Sequence, residues 1–112
     1  MSDDERQFLL TVVWFFMRHG RRDRALAVCE ALYEVDSHDG VAAAALAELL
    51  LERGDAKRAV EVLGQSYVPP ELSHAEAVLE TRALRALGKD TEADARWRRH
   101  LESRKGSNRK WM

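Results

Sequence analysis

The sequence predicts an all-α protein, three tandem helix-turn-helix repeats forming a short right-handed superhelix. Two observations carry this. A Gly and an Ala stand five residues apart three times, at Gly20 and Ala25, Gly54 and Ala59, and Gly88 and Ala93, with 34 residues from one copy to the next. The chain is also 46% apolar and 33% charged over 112 residues, which suits one globular domain whose helices keep solvated outer faces. There is no room for a second substantial core.

Each marker has a mechanical reason. A Gly at the end of a helix adopts the left-handed conformation without a Cβ penalty and lets the chain reverse. Asp23, Asp55 and Asp90 follow one to three residues later, placed to cap or charge-stabilise the next helix start. The Ala comes early in that helix, where a small side chain lets two antiparallel helices approach closely.

Six helices result, at about 5–18, 22–35, 41–53, 56–66, 72–87 and 90–103. The first is the unusual one, because its run 8–17 is apolar around the whole circumference, whereas a helix packed on one side shows one apolar stripe. It needs cover on two sides: the second helix on one, a neighbouring subunit or a bound partner on the other. The second helix turns Leu26, Cys29, Leu32 and Tyr33 inward. The third ends at Gly54, the fourth is stopped by Pro69 and Pro70, the fifth ends at Gly88, and the sixth runs into a basic end. Phe16, Leu50 and Leu84, each four residues before a Gly, form a continuous core along the stack.

Chemistry has no candidate residues. His19, His38, His74 and His100 are scattered, with no His or Cys partner at i+3 or i+4, which argues against a metal site. Cys29 reads as a small buried hydrophobe, and the turn glycines lie too far apart to cradle a phosphate. The reading is therefore of a protein that is not an enzyme and uses no cofactor.

Charge is uneven. Residues 96–112 hold seven Arg or Lys against Glu102, a balance of +6, so residues 1–95 sum to −7 within the net −1. The basic tail, 104–112, is read as a solvated terminus with only Trp111 and Met112 for packing, and nucleic-acid binding through it is kept as an alternative. The most apolar run, 8–17, falls short of the ~20 residues a membrane span needs. With a single Cys and no leader pattern, a reducing cytoplasm is the expected location.

A period of 34 residues is that of the tetratricopeptide repeat, which the chain resembles over nearly its whole length. On this resemblance residues 1–103 form one domain with repeats at about 6–39, 40–73 and 74–103. The family's small residues fall on Val13, Ala47 and Thr81, its closing Leu-Asp-Pro on Val35, Asp36 and Ser37. Leu9, Ala43 and Ala77 replace its large aromatic. The first helices of such repeats line a concave groove, and projecting the frame places Leu10, Trp14, Met17, Ala44, Leu51, Val78, Arg82 and Arg85 there. This is an apolar wall with two cations at one end, suited to an amphipathic or extended segment with an acidic flank, and Trp14 is its natural hot spot.

Gln7, Phe8, Leu9 and Leu10, Trp14, Gly20 with Arg24 and Ala25, Ala31 and Leu32, and the closing stretch from Ala95 through Trp97 and His100 to Glu102 carry a further resemblance. In these the chain is similar to the small tetratricopeptide chaperones of bacterial type III secretion, the YscY (SctY) kind. The resemblance implies a chaperone in the bacterial cytoplasm that binds a small secreted partner of the YscX type and helps it engage the export gate. A homo-oligomeric structural adaptor is the competing reading.

Overall fold

A computed structural model describes residues 1–109, with side chains to Gly106; Trp111 and Met112 lie outside the described residues. Six α-helices follow in order: α1 (Asp3–Arg18), α2 (Arg22–Val35), α3 (Gly40–Glu52), α4 (Ala56–Gln65), α5 (Ser73–Ala86) and α6 (Asp90–Arg109). A 3-10 turn, Pro70–Leu72, leads into α5. Among the described residues there is no strand, only an isolated parallel bridge between Asp39 and Tyr67.

The three pairs α1–α2, α3–α4 and α5–α6 each close through the same turn. Gly20, Gly54 and Gly88 have φ of 72°, 86° and 77°, the left-handed region that the spacing called for. At each turn the amide after the Gly donates to the carbonyl of Phe16, Leu50 or Leu84 at 2.8, 2.8 and 2.9 Å. The Gly amide itself reaches Met17, Leu51 or Arg85, so orphan carbonyls at each helix end are satisfied in the same way three times. Ala25, Ala59 and Ala93, five residues on, are all 0% exposed.

The Asp after each turn acts in different ways. Asp55 accepts from the Arg58 amide at 3.2 Å and caps α4, whereas Asp23 and Asp90 sit inside the first turns of α2 and α6. Ser2 and Glu5 extend α1 two residues beyond its expected start: the Ser2 hydroxyl accepts from the Glu5 amide and donates to its carboxylate. At the other end α6 continues past 103 to Arg109.

The central helix is α3. Its Ala-rich sequence buries Ala42, Ala43, Ala44, Leu46, Ala47, Leu49 and Leu50, and it packs against α2, α4 and α5. Small side chains let neighbours approach it from several sides at once. In α1 only Val13 is fully buried; Phe8, Trp14 and Phe15 are 66%, 58% and 50% exposed. Leu50 and Leu84 join the buried core, while Phe16 packs against it half-buried. Pairs that cross helices lock the stack: Arg58 with Glu30, and Arg6 with Asp39.

Candidate functional site

Repeats of this geometry carry side chains at 34-residue intervals onto one surface, so α1, α3 and α5 together build any groove. Its residues differ sharply in access. Ala44 belongs to the core, and Leu10, Met17 and Leu51 are partly buried and packed against it. Val78 is half-buried, whereas Trp14, Arg82 and Arg85 are exposed.

Two clusters form. On α1 the Arg18 guanidinium lies over the exposed Trp14 ring, 4.9 Å from its centroid, a cation–π contact. On α5 a recess of about 230 Å³ is lined by Val78, Thr81, Arg82, Arg85 and Trp97 of α6. Trp14 lies outside that recess. The recess therefore unites three of the projected residues, Val78, Arg82 and Arg85, and adds Trp97, which the projection from first helices alone could not supply.

The two cations are not equivalent. Arg85 donates to Asp94 of α6 at 2.6 Å, so its charge is already matched. Arg82 has no ion-pair partner among the described residues, which makes it the cation free to meet an acidic flank. Glu48 was missed although the signal was available. It lies 34 residues from both Trp14 and Arg82, half-buried, and makes the middle of the row acidic.

The histidines require a correction: His74 and His100 are 26 residues apart in sequence but meet across α5 and α6. His74 Nδ1 and His100 Nε2 are 3.0 Å apart, and Trp97 packs on both rings with centroids 5.9 and 5.5 Å away. One nitrogen must donate and the other accept, so the contact holds only while the accepting ring is neutral. Burial, and then the nearby His74, Arg104 and Arg96, push the His100 pKa down. Spacing along a single helix could not reveal a pair made by two helices.

Cys29 is 0% exposed, and burial together with Glu30 pushes its thiol up to about 12, so it remains a neutral packing group. Among the described residues no three His, Cys, Asp or Glu side chains gather as a metal site, and no helix is long and apolar enough to cross a membrane.

Comparison with known proteins fits this geometry. Residues 16–66 match a family model described as Tetratricopeptide repeat, a stretch holding the Gly20 and Gly54 turns and helices α2 to α4. No curated protein and no solved structure matches the chain. The fold is all-α and of tetratricopeptide type, a repeat whose general use is to bind other proteins.

Proposed function

We propose that this chain is a chaperone and assembly factor of bacterial type III secretion, working in the cytoplasm without catalysis or cofactor. It holds a segment of a small secreted partner of the YscX type along its concave face and passes it to the export gate. The observation that carries a binding surface is Trp14, an aromatic 58% exposed with Arg18 over its ring. A large, accessible aromatic ring is the kind of residue that anchors an interface. The client's identity rests on the resemblance at the two ends of the chain.

The client segment would set an apolar residue against Trp14, Leu10 and Met17. Its acidic flank would face Arg82 beside the Val78 and Trp97 recess. Ala44 and Leu51 then support the wall from beneath, with Glu48 available to a client cation, and Arg85 contributes mainly through packing.

Calorimetric titration with a purified YscX-type protein tests this. Trp14→Ala should weaken binding about 30-fold, or ~2 kcal/mol, with the circular dichroism unchanged. Arg82→Glu should weaken it less and flatten its salt dependence, whereas Arg85→Gln should have little effect. Undiminished binding by Trp14→Ala would rule out the groove and move the site to the outer face or the tail.

A further inference from the structure

The run 8–17 divides into two faces. Leu10, Trp14 and Met17 belong to the proposed groove; Phe8, Val12 and Phe15, at i, i+4 and i+7, share a different one. Moving 34 residues along the repeat shows what that second face is for. The equivalent positions on α3 are Ala42, Leu46 and Leu49, which are 0%, 0% and 1% exposed. They are buried where α3 packs on the preceding pair, Leu49 lining a recess with Arg22 and Leu26 of α2. Phe8, Val12 and Phe15 thus form the stacking face of the first repeat. In the described structure nothing lies on it, and Phe8 is 66% and Phe15 50% exposed.

Stacked repeats stay soluble when their end faces are polar, and the two ends here differ. The exposed side of α6 carries Asp94, Arg98, Arg99, Glu102, Arg104 and Lys105 around a single large apolar residue, Leu101, a mainly polar cap. The α1 end has apolar rings instead. Head-to-tail stacking would set Phe8 and Phe15 against those charges, so it is not the complement this face requires.

The charges of α1 itself supply the complement. Its first turn holds Asp3, Asp4 and Glu5, and its last turn Arg18, followed by His19 and Arg21. Among the described residues, Asp4 and Arg18 have no ion-pair partner. We infer that this face docks on the same face of a second copy, with the two α1 helices antiparallel about a twofold axis near Thr11 and Val12. Phe8 of one protomer then meets Phe15 of its partner, twice by symmetry. The acidic turn of each helix meets the basic end of the other, about 21 Å away along a 14-residue rise. A parallel pair would bring like charges together at both ends. One helix per protomer is a small interface, so the dimer is weak, with Kd of about micromolar order.

Sedimentation equilibrium of the full chain from low to high micromolar concentration tests this without any client, so its outcome is independent of the groove. A closed monomer–dimer equilibrium that weakens with salt is expected. Phe8→Ser with Phe15→Ser should raise Kd about 30-fold or more while leaving helicity unchanged, because both rings are solvent-facing. Asp4→Arg alone and Arg18→Glu alone should each weaken the dimer at low salt, and the two together should restore it. That rescue is specific to antiparallel pairing. A monomer throughout the range, growth beyond a dimer, or a double charge variant as weak as the single ones would each overturn the inference.

Discussion

Two Gly→Ala substitutions within helices should shift stability in opposite directions. Gly64, in α4, is exposed, and a Cβ there would meet nothing within 4 Å. Replacing it with Ala should stabilise the protein by about 0.5–1 kcal/mol through helix propensity alone. Gly40, in the first turn of α3, is buried. A Cβ there would fall on the Tyr67 carbonyl, 2.5 Å from both the Tyr67 carbonyl carbon and the Val68 Cα. These are backbone atoms, held in place by the Tyr67 amide donating to the His38 carbonyl at 3.1 Å, so no side chain can rotate away. The cost should reach the upper end of overpacking, ~3 kcal/mol, offset by under ~1 from propensity. At roughly 4–8 °C per kcal/mol for a domain of this size, Gly40→Ala should melt about 10–15 °C or more below the wild type, and Gly64→Ala a few degrees above it. Thermal denaturation followed by circular dichroism decides between them. If both variants melt higher, the close approach of 67–68 to α3 is wrong, and with it the packing of the second repeat's closing segment.

Two further substitutions test neighbouring features. Asp39 caps α3 through the Val41 and Ala42 amides at 3.2 Å and takes a bidentate pair from Arg6 at 2.6 and 2.9 Å, which holds its carboxyl below the usual 3.8. Its contribution is therefore complete above about pH 4 and is lost as pH falls through the depressed folded value. Asp39→Ala should cost ~2–3 kcal/mol near neutrality and shrink the acid limb of a stability–pH curve measured by urea denaturation; an unchanged limb would refute the pair. The Thr81 hydroxyl is buried without a hydrogen-bond partner among the described residues, at the position that Val13 occupies in the first repeat. Thr81→Val should therefore stabilise the domain by ~1 kcal/mol, read as a higher urea midpoint, and a lower midpoint would show that the hydroxyl has a partner in solution.

Sequence reasoning reached the features that depend on local backbone chemistry. A residue with positive φ at a helix end is a local demand, so Gly20, Gly54 and Gly88 were legible, and the Ala residues following them marked fully buried positions. Gly40 was not legible, because its constraint comes from Tyr67, 27 residues away, and no local pattern carries it. The same holds for Arg6 with Asp39 and for His74 with His100. Each joins two helices whose relative placement the spacing leaves open. The central place of α3 was not legible either. An apolar circumference shows that α1 needs cover on two sides but not which helix is central, and the Ala residues of α3 are what lets neighbours close on it.

For the proposed groove the sequence supplies a row of positions but not their depth. Projection at 34-residue spacing assigns side chains to a row, yet exposure depends on side-chain length as well as direction. Short Ala44 therefore sinks into the core, while Trp14 at an adjacent point of the row stands clear of it. The circumferential apolar character of α1 then has a structural meaning that composition alone could not give. One side continues the row of first helices and the other is the face on which an array stacks. An end helix without a polar cap must carry both. Two occupants can meet α1 on separate sides, a client at Trp14 and a second copy at Phe8 and Phe15, and they share Arg18, which lies over the Trp14 ring and also serves the charge pairing of the dimer.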